Sequence, residues 1–155
     1  MQEIIDKIRQ LTKLAEEKGK GIDGIYLSCL EELGELARAI KIEDKIPGNA
    51  HKSLDEPSYS EAIDLFICIA SLEITKDPEV QFIHSYDDSI LFHLAEQREL
   101  DYLMKKVTKI LSYDIISYPS ERVTYPICIY YKRGGKLTEF KTIALAKLDK
   151  WEKTL

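Results

Sequence analysis

The sequence predicts an all-α protein, a helical bundle of about five to six helices in a single domain over residues 1–155. Three observations predict it. Apolar residues recur every three to four positions along several long stretches, the spacing of one helix face. Residues 61–72 read EAIDLFICIASL, with Glu61 and Asp64 the only charges, so the run is apolar around most of its circumference, as in a buried helix. Between the periodic stretches stand breaks such as IPGNAHKSLDEPS and KDPE, where Pro and Gly cannot continue a helix.

The first helix is expected over 2–18, with Ile4, Ile5, Ile8, Leu11, Leu14 and Ala15 on one face and Gly19 and Gly21 closing it. Asp23 is a candidate N-cap for a second helix reaching Ile42. Gly34 lies inside it at a cost of ~1 kcal/mol relative to Ala, which a close helix approach would justify. Residues 46–58 form a loop. Ser58 or Ser60 is expected to cap a third helix over 59–75. A fourth long helix spans 88–112, with Ile90, Leu91, Leu94, Leu100, Leu103, Val107 and Ile110 as its stripe and His93 beside that stripe. The stretch SYPSERVTYPICIYYKRGGKLTEF reads by local propensity as strand, turn, strand. Pro126 opposes both a central strand and a regular helix interior. A last helix covers 137–155, with Leu137, Phe140, Ile143, Leu148 and Trp151 as apolar points.

Composition narrows the function. Hydrophobic residues make up 45% and charged residues 32% of 155, ordinary for a globular domain. A net charge of −5 and a pI near 5.3 argue against stable nucleic-acid binding. Cys29, Cys68 and Cys128 are odd in number, lie in apolar contexts and lack metal-ligand spacing, so they read as buried free thiols of a reducing, cytoplasmic setting. The opening MQEIIDKIRQ is charged and amphipathic, unlike a signal peptide, and no apolar run is long enough to span a membrane.

The chemistry concentrates in two acidic stretches, EELGE at 31–35 and EAID at 61–64. Asp is almost never fully buried unless paired, so Asp64 needs a basic side chain or a cation. Glu61 lies three residues earlier on the same face, and two like charges there strengthen the case for a divalent metal. Glu32 and Glu35 repeat the spacing on the preceding helix. If the helices lie side by side, the four carboxylates converge into an all-oxygen site suited to Mg²⁺ or Mn²⁺, and thereby to phosphate chemistry.

EExxE, a spacer and ExxD together resemble the signature of the MazG-like all-α nucleoside triphosphate pyrophosphohydrolases, relatives of the dimeric dUTPases and dCTP pyrophosphatases. The resemblance implies metal ligation by Glu32, Glu35, Glu61 and Asp64, an accessory role for Glu31, and Glu32 or Glu35 as the group that orients or deprotonates the water. It implies Mg²⁺-dependent hydrolysis of a (d)NTP to (d)NMP and pyrophosphate in nucleotide-pool house-cleaning, by a homodimer or homotetramer. The ending KLDKWEKTL looks like the closing helix of MazG-like proteins. Lys147, Lys150 and Trp151 are therefore candidate substrate contacts, against the plainer readings of a solvated basic helix end and a core anchor. His51 and Lys52 are loop candidates.

An internal echo bears on the difficult stretch. Residues 121–129, ERVTYPICI, line up with EAIDLFICI at 61–69, and Glu96 and Glu99 echo Glu32 and Glu35. Thr124 stands where the first copy has Asp64. The chain then reads as a tandem duplication, with a metal-site half at 1–76 and a degenerate half at 85–155, and 118–132 becomes a helix kinked at Pro126. A small hairpin over 122–140 is the alternative. Two other functions compete: a non-catalytic helical interaction or regulatory module with acids merely decorating its surface, and a di-iron bundle. The latter wants Glu-x-x-His motifs that neither acidic pair provides.

Overall fold

A computed structural model describes residues 1–82, 88–112 and 119–155, with the backbone alone for 88–90. The protein is an all-α bundle with seven helices among the described residues: α1 (Gln2–Glu17), α2 (Ile22–Glu43), α3 (Ser58–Lys76), α4 (Asp88–Gln97), α5 (Leu100–Ser112), α6 (Pro119–Lys132) and α7 (Phe140–Thr154). No strand occurs among those residues, so the hairpin alternative over 122–140 gives way to helix α6. None of these helices is long and apolar enough to cross a membrane.

The apolar run predicted to be a buried helix is the axis of the fold. α3 packs against α1, α2, α6 and α7, and it buries residues on every side, from Ala62 and Ile63 to Phe66, Ile69 and Ile74. α6 packs on α3 and in turn carries α4 and α5. A single apolar core joins residues from all seven helices, with Tyr130, Phe66 and Phe140 stacked edge-on at its centre. Across α3 and α6, Arg122 donates to Glu73 at 2.9 Å, a buried pair that neutralises each partner.

Several boundaries differ from expectation. Helix α2 starts at Ile22, behind an extended Gly21, so Asp23 lies in its first turn and does not cap it. There its charge still suits the positive end of the helix. Neither Ser58 nor Ser60 caps α3, because Pro57 holds the cap position and both serines turn to acids from outside. The Ser58 amide and hydroxyl donate to the Glu43 carboxylate at 2.7 and 2.5 Å, and the Ser60 hydroxyl donates to Glu56 at 2.7 Å. Arg133, just beyond α6, donates to Ser58 Oγ, Glu43 and Asp44 at 2.8 Å each and ties three helix ends together.

The fourth predicted helix is two, which takes the total past the expected five to six. Leu91 and Ala95 are buried in α4, and Leu103, Val107, Ile110 and Leu111 in α5. A continuous helix would bring position 98 or 99 onto the same stripe, where Arg98 and Glu99 stand; the break leaves both exposed. Glu96 and Glu99 therefore do not share one helix as Glu32 and Glu35 do. His93 is exposed, away from the stripe's buried edge. Leu137 is also exposed, ahead of α7. The expected stripe position Ile90 lies in α4, where the backbone alone is described, and the expected helix start Tyr118 lies outside the described residues.

Candidate functional site

Helices α2 and α3 lie side by side, and their facing surfaces form one wall of a cavity of about 630 Å³. α2 contributes Glu32 and Glu35, and α3 contributes Glu61 and Asp64. Ligand oxygens of Glu32, Glu61 and Asp64 all lie within 4.8 Å of one another. Glu35 lines the same cavity from an exposed position outside that group of three. α7, which packs on α3, adds Lys147, Lys150 and Trp151 to the lining. Seven of the residues singled out from the sequence thus meet in one place. Three do not: Glu31 is exposed on α2, His51 is exposed in the loop, and Lys52 turns to Asn49 within that loop, and none of them lines the cavity.

The electrostatics follow from crowding. Burial, then the charges of Asp64, Glu35, Glu61 and Glu31, push the Glu32 carboxyl up to about 8. Burial, then Glu56, Asp64 and Glu35, push Glu61 up to about 7, against the pull of Lys147. Burial also raises Asp64, although a hydrogen bond from Lys147 opposes it. The Lys147 ammonium donates to Asp64 and, at 2.7 Å, to Glu56. Burial works against the charge on Lys147, but these two acids outweigh it and hold the ammonium above its usual range. The basic partner that Asp64 needed is therefore present, supplied by a helix more than eighty positions away in sequence.

Sequence reasoning missed Glu56, Lys20 and Arg38, which all line the cavity. Glu56 shares Lys147 with Asp64 and accepts from Ser60, which together outweigh its burial and hold its carboxyl below the usual range. Its signal was its place in the loop just ahead of α3, beside the residues that open that helix. Arg38 lies one turn beyond Glu35 and pairs with Asp55 at 3.1 Å. Ser28 and Cys68 also line the cavity, one turn from Glu32 and Asp64, where helical periodicity places them. The Cys68 thiol is held well above its usual range by a hydrogen bond with Cys29, then by burial, which keeps the Cys68 sulfur protonated and unreactive.

What the fold and site define is an all-helical bundle with a carboxylate cluster and facing lysines around one cavity. No protein-family model, curated protein or solved structure matches the chain.

Proposed function

We propose that this protein is a divalent-cation-dependent nucleoside triphosphate pyrophosphohydrolase of the MazG-like kind, cytoplasmic, releasing a nucleoside monophosphate and pyrophosphate. The observation that carries the reading is the meeting of Glu32, Glu61 and Asp64 from two adjacent helices on the wall of a cavity that also holds three lysines. The donor set fits the ion: all three donors are oxygens, as Mg²⁺ or Mn²⁺ prefers. The raised Glu32 and Glu61 carboxyls mark acids crowded beyond what one lysine offsets, a strain that a divalent ion relieves.

Bound there, the ion supplies Lewis-acid polarisation of phosphoryl oxygens and a more acidic water. The chain's own groups do the rest. Glu35, exposed and outside the group of three, is placed to orient a water and accept its proton, with Glu32 as the second candidate. Lys20, Lys147 and Lys150 offset charge on the departing pyrophosphate, Lys147 by exchanging Asp64 and Glu56 for phosphate oxygens. Trp151, half-buried at the cavity wall, offers a face for a base. The cavity volume is in the range of small-molecule sites.

The test is pyrophosphate release from a panel of canonical and modified nucleoside triphosphates, with Mg²⁺ and with EDTA. Metal-dependent release from the wild type that disappears in Asp64→Asn supports the reading; equal release by Asp64→Asn overturns the ligand assignment. A second reading rests on Lys147, whose salt link meets Asp64 and Glu56 without any metal while Glu32 and Glu61 stay protonated. On that reading the cluster is structural and the protein a non-catalytic helical module. A thermal midpoint that Mg²⁺ leaves unchanged, with no release from any triphosphate, selects it.

A further inference from the structure

The loop joining α2 to α3 brings two consecutive acids to the cavity, and the cavity's own cations hold both. Leu54, Asp55 and Glu56 line the cavity together with Arg38 and Lys147. Arg38 on α2 donates to Asp55 at 3.1 Å, and Lys147 on α7 donates to Glu56 at 2.7 Å. The rest of the loop is fastened separately. Asn49 donates to the Ile46 and Pro47 carbonyls, and Lys52 donates to Asn49, so the tip is bonded to itself. Arg133 donates to Asp44 at one foot and to Ser58 at the other. The stretch 53–56 runs between that tip and that fixed foot.

We propose that residues 54–56 are an autoinhibitory strap, which fills the oxyanion places of the cavity with the chain's own carboxylates, and that a ligand of linked phosphates binds by displacing Asp55 from Arg38 and Glu56 from Lys147. Guanidinium and ammonium groups recognise carboxylate and phosphate alike, the guanidinium through its two-pronged fork. Asp55 and Glu56 therefore stand where phosphate oxygens of a ligand would. The contacts suit a latch that such a ligand can open. The Arg38–Asp55 pair is exposed, 41% and 77% at its side chains, and pairs of that kind contribute little stability. The Glu56 link is the firmer hold, because its lysine is more buried and Ser60 adds a hydrogen bond at 2.7 Å. A phosphate brings more charge and more acceptor oxygens than a carboxylate, and linked phosphates engage both cations in one event.

The strap rests on the phosphate reading of the cavity, though not on turnover. It gives Arg38 a role as a phosphate contact, and it makes Asp55 and Glu56 residues that hold the ligand off. Affinity in the intact chain is what remains after both pairs are broken, so removing either acid strengthens binding. That sign is opposite to the loss expected when a residue that binds the ligand is removed.

The experiment is calorimetric titration of the whole chain with inorganic tripolyphosphate in excess Mg²⁺, on wild type, Asp55→Asn, Glu56→Gln and the two together. Each single variant should bind about two- to fivefold tighter than wild type, and the double variant about tenfold tighter, the scale of part-exposed ion pairs. Asp55→Asn is repeated in an Arg38→Gln background, where its gain should vanish because the acid no longer has that cation to occupy. Hydrogen exchange of the 53–56 amides, followed by mass spectrometry, should quicken in wild type when tripolyphosphate is added. Unchanged helical circular dichroism checks each fold. Binding that neither acid variant tightens overturns the strap and leaves the phosphate reading standing. A gain from Asp55→Asn that persists without Arg38 is a general charge effect and also overturns it, as does exchange at 53–56 that slows or stays the same on binding. No binding by any of these proteins overturns the phosphate reading and the strap together.

Discussion

Glu32 is the residue where sequence, packing and chemistry meet most directly. Its carboxyl titrates near 8 in the folded chain and near the usual 4.5 once unfolded, because burial and four neighbouring acids favour the neutral form. The folded state therefore holds a proton that the unfolded state has already released across that window. Stability should fall as pH rises from the ordinary carboxylate range towards about 8, and Glu61, reaching about 7, acts in the same direction. Thermal midpoints in EDTA should accordingly decline from mildly acidic to mildly alkaline pH, and Glu32→Gln should flatten the decline. Mg²⁺ should raise the midpoint more at the alkaline end, where the carboxylates are ionised; an increment equal at both ends contradicts an ion at these acids. Asp64→Asn keeps the side chain's shape and leaves Lys147 its bond to Glu56. It should hold the thermal midpoint nearly constant while turnover drops on the order of a thousand-fold, the loss of several kcal/mol of charge stabilisation. Parallel melting and pyrophosphate assays check both halves.

Two glycines of the helices and turns make opposite predictions. Gly34 is exposed within α2 with open space around an added Cβ, so Gly34→Ala should stabilise the isolated chain by ~1 kcal/mol in denaturant titrations at low protein concentration. Gly135 follows α6, and a Cβ there would stand 2.3 Å from the Tyr130 ring, whose hydroxyl donates to Lys136 at 2.6 Å. Tyr130 is fully buried between Tyr59, Tyr131 and Phe140 and has no room to retreat. Gly135→Ala should therefore cost about 1–3 kcal/mol, measurable in the same titrations. α6 itself shows how packing overrides propensity. Pro126 removes a helical hydrogen bond and β-branched and aromatic residues surround it, yet the segment is helical because eight of its residues are buried against α3, α4 and α5.

For the whole molecule, the class was legible because its evidence is periodic. The stripe of α1 and the all-round apolarity of α3 announce helices from short windows, and the ExxE and ExxD spacings put each acid pair on one face. That α2 and α3 lie side by side is what short-range order suggests, and it is enough to gather Glu32, Glu61 and Asp64. What stayed hidden depends on distant partners. Nothing near Lys147 in sequence points to Asp64 or Glu56, and nothing near Glu43 points to the start of α3. The α4–α5 break was hidden too, since it turns on which neighbours bury the stripe at positions 98 and 99. These same distances have a temporal side. α2 and α3 leave the ribosome as neighbours, whereas α7, with the lysine that neutralises them, is synthesised some seventy residues later. During that interval Asp64 and Glu56 lack the ammonium that bonds both in the finished protein, so a nascent polypeptide holding α2 and α3 leaves the balancing of those two acids to the surrounding solution.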